Sequence, residues 1–163
     1  MVRNRESTTL LQTAQAILTD VDKVSKRTVR VLFDIGSQKS FVTEDVCKSL
    51  NLRVSRKEKL ILSGFGSKNE TAQLLSVVRV KIMNVSEMFC TDVELFVVPR
   101  ICSPICDQNI ELAQSTYSHL MNLKLADSSE NGTGLEIDVM IGGDLHREFD
   151  AERKILVYSS PFA

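Results

Sequence analysis

The chain has 163 residues, of which 43% are hydrophobic and 25% charged, as in an ordinary folded domain. Its 20 Lys and Arg and 21 Asp and Glu give a formal charge of -1, which argues against a general binder of nucleic acid or anionic membranes. A chain of this length predicts one domain, over residues 1–163. No apolar run reaches the roughly 18 residues that span a bilayer, so we do not expect a membrane protein.

Cysteine usage and the N-terminus bear on the compartment. The first 20 residues contain no uninterrupted apolar stretch and no cleavage site of a signal peptide. The four cysteines are too scattered for a disulfide scaffold and are typical of thiols in a reducing compartment. We therefore expect an intracellular, cytoplasmic protein. Cys102, Cys106 and His119 could be combined into a zinc site, but their spacing fits no compact zinc finger, and we expect no metal and no cofactor.

The first third of the chain contains one ambiguous segment and two clear elements. Apolar residues from Leu10 to Leu18 recur at helical spacing, so periodicity alone predicts a helix. Residues Thr28 to Phe33 are β-branched and apolar and predict a buried strand. Thr43 is a suitable N-cap for a helix with acidic residues in its first turn, and Asn51 is a plausible stop.

Strands dominate the rest of the chain. A run from Lys59, a glycine-rich stretch and a run from Leu74 to Ile82 indicate a hairpin, and Asp92 to Val98 alternates as a strand does. The remaining predictions are a helix over Ile110 to Leu125, strands over Ile137 to Ile141 and Lys154 to Tyr158, and a helical turn capped by Asp144. The predicted class is mainly β with two or three short helices.

The segment that carries chemistry is Asp34-Ile35-Gly36-Ser37, at the end of the first clear strand. A carboxylate delivered there by a buried strand is expected to be partly desolvated. Gly36 leaves room for a substrate or a second chain, and the Ser37 hydroxyl can donate a hydrogen bond to a neighbouring carboxylate oxygen. The tetrapeptide alone favours a simpler reading, in which Asp34 starts a turn and caps the next segment.

Further motifs follow in order along the chain. It reads LFDIGSQKSFVTEDVCKSLNL, LSGFGS, ELFVVPRI, LKLAD and IDVMIGGDLHREF. Over roughly residues 7 to 158 this series resembles the aspartic peptidase domain of BEL/Pao-type retrotransposons, a retropepsin-like family. The resemblance implies a single-lobe acid-protease fold, a closed barrel in which Leu10 to Leu18 is a strand rather than a helix.

The family motif also carries over onto particular residues of this chain. The implied set is Asp34 as the catalytic carboxylate, Gly36 and Ser37 in its turn, Gly64, Phe65 and Gly66 on or near a flap over the substrate, and Ile141, Gly142 and Gly143 packed beneath the catalytic loop. Phe65 could equally be an ordinary core residue of the hairpin.

An acid protease needs two carboxylates about 3 Å apart that share one proton. The chain offers one Asp-x-Gly-Ser turn, so we expect a homodimer to supply the pair. Asp144 is an alternative second carboxylate, although its position after two glycines favours helix capping. The resemblance then implies an aspartic endopeptidase that processes a retrotransposon polyprotein, with a peptide or polyprotein as its substrate and no nucleic acid or membrane as its partner.

One residue departs from the pattern of the family. Ile35 stands where the family usually has Ser or Thr, whose hydroxyl braces the two catalytic loops in the dimer. Since Ile35 cannot make that bond, a catalytically silent module that dimerises or binds peptides is an alternative.

The cluster of Arg53, Arg56, Lys57 and Lys59 with Glu58 predicts a solvated face, with a nucleic-acid patch as the alternative.

Overall fold

We describe the protein from a computed structural model, over residues 12–22, 24–62, 71–105, 118 and 134–150. Strands dominate this part of the chain, as predicted. In chain order the elements are β1 (Thr13–Thr19), β2 (Lys26–Phe33), β3 (Phe41–Thr43), α1 (Glu44–Ser49), β4 (Val54–Leu62), β5 (Thr71–Met83), β6 (Cys90–Val98), β7 (Val139–Ile141) and α2 (Gly143–Asp150). Neither of these helices is long and apolar enough to cross a membrane.

The seven strands form one sheet in the order β1-β2-β7-β3-β6-β5-β4. Because β1 also pairs with β5, the pairing runs through six strands and returns to the first, while β4 adds to the outer side of β5. The pairs β2–β7 and β3–β6 are parallel. Parallel strands end at the same edge of a sheet, so the residues after Phe33 and those after Ile141 are brought together.

Alternation along the strands divides the apolar residues into two clusters. Successive side chains of a strand point to opposite faces. Val42, Val78 and Leu95 therefore belong to the main core, together with inward residues of β1, β2 and β7. Their chain neighbours form a second, smaller cluster on the other face of the sheet, made of Phe41, Val77 and Phe96.

The helix predicted by periodicity over Leu10 to Leu18 is wrong for its described part, which is strand β1. Ala14, Ala16 and Leu18 are fully buried at a spacing of two, because alternate side chains of a strand point to the same face and this face of β1 belongs to the main core. The strand implied by the resemblance is the correct one. The local pattern was misleading because Ile17 is apolar as well, and this adds helical spacing to an alternating strand.

The other predicted elements are found with small shifts. Helix α1 follows Thr43 as expected, although the Thr43 hydroxyl makes no capping bond. The strand predicted from Ile137 begins at Val139. Asp144 was predicted to cap a helical turn, but it lies inside the first turn of α2, where its carboxylate binds another loop. The hairpin of β4 and β5 is antiparallel as predicted.

Several predictions fall outside the described residues. These are the flap residues Gly64, Phe65 and Gly66, the helix over Ile110 to Leu125 apart from Ser118, and the strand over Lys154 to Tyr158. That residues 1–163 form a single domain also stays a prediction.

Candidate functional site

Asp34 directly follows β2 and begins a tight turn. Its backbone N–H donates to the carbonyl oxygen of Ile141 at 3.0 Å, and its own carbonyl accepts the N–H of Ser37 at 3.1 Å. The carboxylate oxygen Oδ1 accepts the N–H of Gly36 at 2.9 Å. The expectation of partial desolvation does not hold for the single chain, in which Asp34 is exposed. An oriented carboxylate is thus presented to the surface.

Gly36 lies close to that carboxylate. A Cβ atom at this position would be 3.1 Å from Asp34 Oδ1, closer than ordinary packing allows. Any side chain would therefore displace the carboxylate or weaken its bond with the Gly36 N–H. Glycine here keeps the carboxylate in its place.

The prediction that Ser37 donates a hydrogen bond to a carboxylate is wrong. Its hydroxyl donates to the carbonyl oxygen of Lys39 at 2.8 Å, two residues along the same loop. A short serine side chain easily reaches backbone acceptors of its own loop. Ser37 therefore stabilises the loop and leaves Asp34 free of side-chain donors among the described residues.

The two glycines that follow β7 hold the loop of residues 34–40 through hydrogen bonds from their backbone N–H groups. Gly142 donates its N–H to Ser40 Oγ at 2.9 Å, and Gly143 donates to the carbonyl oxygen of Ser37 at 2.7 Å. A Cβ on Gly142 would overlap the carbonyl of Lys39 and stand 2.8 Å from that of Ser37. The structure thus brings Ile141, Gly142 and Gly143 against the turn that carries Asp34.

Ser40 and Asp144 form a contact that sequence analysis missed. The Ser40 hydroxyl donates to Asp144 Oδ1 at 2.6 Å and its backbone N–H donates to Oδ2 at 3.2 Å, while Ser40 is fully buried. Both carboxylate oxygens are therefore held by one residue, which fits a structural role rather than a second catalytic carboxylate. The available signal was a serine directly before a buried strand, which needs a partner for its hydroxyl. We call the contacts of Ser40, Gly142 and Asp144 the clamp.

Asp138 connects the strands behind the clamp. Its Oδ2 accepts the N–H of Arg30 at 2.8 Å, and its Oδ1 lies 3.6 Å from a guanidinium nitrogen of Arg27. Burial raises the pKa of this carboxyl above its usual value, and the hydrogen bond from Arg30 and the charges of the two arginines offset only part of that rise. Asp138 thus holds β2 four residues before Asp34, and its charged form is disfavoured there.

Ile35, the residue that departs from the family pattern, is 71% exposed. It lies between Asp34 and Gly36 in the turn, so a large apolar side chain stands beside the exposed carboxylate.

Two further predictions from the sequence concern a zinc site and a cluster of basic residues. Among the described residues, no three His, Cys, Asp or Glu side chains come close enough to hold a metal ion. Cys102 is exposed, whereas Cys106 and His119 of the zinc hypothesis lie outside the described residues. In the basic cluster, Arg56 pairs with Glu58 at 3.2 Å and with Glu94 at 2.8 Å, as a solvated face does.

Comparison with known proteins gives a structural similarity and nothing at the level of sequence. No family model matches the chain, and no curated protein matches it. Among solved structures, the chain is similar to the EIAV protease complexed with the inhibitor HBY-793. The two share 12% sequence identity, with 92% of this chain and 95% of that chain covered and a TM-score of 0.43.

Proposed function

We propose that the protein is an aspartic endopeptidase whose active site forms between two copies of the chain and which processes a retrotransposon-type polyprotein. The observation that supports this most is the exposed Asp34 carboxylate, oriented by the Gly36 N–H on a loop that is held from below. A reactive group on a rigid, exposed turn is what such catalysis requires. Gly64, Phe65 and Gly66 are proposed to cover the substrate.

The chemistry needs the Asp34 carboxylates of both copies about 3 Å apart, sharing one proton because both cannot ionise together. The ionised carboxylate takes a proton from a bound water, whose oxygen attacks the scissile carbonyl carbon. The protonated carboxyl hydrogen-bonds the carbonyl oxygen as negative charge develops there. The carboxyl group that took the proton from water then gives it to the amide nitrogen, which leaves as the C–N bond breaks. Because water is the nucleophile, no covalent bond forms between enzyme and substrate.

Exposure of Ile35 supports the two-copy arrangement. An apolar side chain that is 71% exposed beside the carboxylate would be removed from water when two such turns meet. Two-fold symmetry would place each Ile35 near its counterpart, because such an interface uses the same patch on both copies. In this arrangement an apolar contact replaces the hydroxyl bond of the family.

The test is cleavage of peptides at mildly acidic pH by the wild type and by Asp34→Asn. We expect the variant to lose at least about 100-fold in rate, since proton transfer by the carboxylates is removed. Asp22→Asn, at an exposed acid in the turn after β1, is the matched control and should retain the wild-type rate. Equal cleavage by the wild type and Asp34→Asn would overturn the proposal.

A silent module that binds peptides as a dimer is the second candidate, and Ile35 is the observation that favours it. This candidate predicts a dimer in sedimentation that binds peptides and does not cleave them. Recovery of cleavage in Ile35→Thr or Ile35→Ser would identify the missing hydroxyl as the reason. A wild type that cleaves peptides would eliminate the silent module.

A further inference from the structure

A cavity of about 310 Å³ lies directly beside the loop of residues 34–40. Lys39, the next to last residue of the loop, lines it together with Phe96 and Val77 of the second apolar cluster. Asp144 and Leu145 of α2 complete the side nearest the clamp. Lys39 and Asp144 therefore line the cavity and also take part in the contacts that hold the loop of residues 34–40.

Most charged groups of this cavity are already paired. Arg56 bonds both Glu58 and Glu94, at 3.2 and 2.8 Å. Asp92 bonds Lys81 at 2.5 Å and Arg79 at 3.2 Å. Asp144 accepts two bonds from Ser40 and a third from the backbone N–H of Leu145 at 3.0 Å. The carboxylates that line the cavity are thus neutralised or hydrogen-bonded before any ligand enters.

Lys39 differs from these groups. Its ammonium nitrogen lies 5.7 Å from the centroid of the Phe96 ring, within the range of a cation–π contact. No carboxylate of the described residues forms an ion pair with it, and the residue is half-buried. A positioned, partly desolvated cation attracts an anionic group more strongly than a freely solvated one does.

We infer that Lys39 is a specificity-determining residue that binds the carboxylate of a Glu or Asp side chain in the peptide substrate. The inference rests on the proposed function and names its substrate class. Asp34 and Lys39 are five residues apart, and the turn at Ser37 shortens their separation below the roughly 17 Å of an extended chain. The acidic residue would therefore lie within about four residues of the scissile bond in an extended peptide.

Arg56, the other cation that lines the cavity, is a poorer candidate. Its guanidinium is already bonded to two carboxylates, so a substrate carboxylate would have to displace one of them. Lys39 loses only its contact with an aromatic ring when it turns toward a ligand. The preference for an acidic residue in the substrate should therefore depend on the charge of the side chain at position 39.

The experiment measures binding of fluorescent decapeptides to the Asp34→Asn protein, so that no cleavage is needed. Each peptide occurs in three forms that differ only by Glu, Gln or Lys at one position, and every position is scanned. We expect at least one position at which the Glu form binds about 5-fold more tightly than the Gln form, as a partly shielded ion pair gives. Adding Lys39→Gln should abolish that difference, Lys39→Arg should keep it, and Lys39→Glu should favour the Lys form.

Lys57→Gln is the matched control, because Lys57 is an exposed lysine of β4 that does not line the cavity. It should leave the preference for Glu unchanged. A preference that survives Lys39→Gln, or peptide binding without any preference for Glu, would overturn the inference. Neither result would affect the proposed function, which fails separately if Asp34→Asn cleaves peptides as fast as the wild type.

Discussion

Two polar regions of the molecule are held together in different ways. The clamp uses few groups, of which Ser40 is fully buried, and two of its bonds involve backbone N–H groups. Elsewhere the surface instead carries ion pairs between exposed side chains, such as Lys26–Glu87 at 2.7 Å, with 46% and 48% of the two side chains exposed. A buried polar group that loses its partner cannot turn to water, whereas an exposed one can.

This difference indicates where we expect substitutions to be tolerated. Removing a partner from a buried hydrogen bond costs about 1–3 kcal/mol, while an exposed ion pair contributes about 0–1 kcal/mol. Exposed ion pairs can therefore lose a charge at little cost, whereas the few residues that hold the loop of Asp34 cannot lose a hydrogen-bond partner so cheaply. Three variants test this, from the largest expected effect to the smallest.

Gly142→Ala should have the largest effect. The new Cβ would overlap the backbone carbonyls of Lys39 and Ser37, and backbone cannot move aside as a side chain can. We expect a loss of about 3 kcal/mol in the free energy of unfolding, measured in urea. Gly143→Ala is the control, because its Cβ would lie 3.5 Å from the Ser37 oxygen, an ordinary contact. Equal losses in both variants would contradict the clamp.

Ser40→Ala compares the two regions directly. It leaves the Gly142 N–H and the Asp144 carboxylate without their hydroxyl partner, so we expect a loss of about 1–3 kcal/mol in the free energy of unfolding. Lys26→Gln, which breaks the exposed pair with Glu87, should cost less than about 1 kcal/mol. The double variant Ser40→Ala with Asp144→Ala should cost less than the sum of the single variants. Strict additivity would mean that the two residues act independently.

Asp138→Asn should change the free energy of unfolding least, and at neutral pH it should raise that free energy rather than lower it. Because burial raises the pKa of Asp138 when the chain folds, the folded state binds more protons, and the wild type loses stability as pH rises from about 3.8 through the folded pKa. Asn keeps an acceptor for the Arg30 N–H and carries no charge. The variant should therefore match the wild type at low pH and exceed it in unfolding free energy at pH 7.

Asp92→Asn provides a control of opposite sign. The hydrogen bond from Lys81 lowers the pKa of Asp92, so its contribution to stability is present at neutral pH and is lost as pH falls through the folded pKa. Asp92→Asn should therefore be the less stable protein at pH 7 and approach the wild type in acid. If both variants changed in the same direction with pH, the burial of Asp138 would not be the cause.

Sequence patterns predicted the strands that are rich in β-branched and apolar residues, such as β2 and β6. They failed for β1, since the apolar residues from Leu10 to Leu18 also fit helical spacing and the pairing with β2 is a tertiary contact that local spacing does not show. The clamp could not be predicted, because Ser40 and Asp144 are 104 positions apart and no local pattern relates them. The direction of the Ser37 hydroxyl depends on the loop conformation, which the resemblance did not specify.

The parallel pairing of β2 with β7 has a consequence for synthesis. Arg30 and Asp138 bond across 108 positions, and Ser40 meets its partner 104 positions later. At roughly 5–20 residues per second, a ribosome needs about 5 to 20 s to make the intervening chain. During that time the loop that carries Asp34 has been synthesised but lacks its support. In a nascent chain the loop that carries Asp34 therefore gains its contact with Asp144 only after strands β1 to β7 have been made.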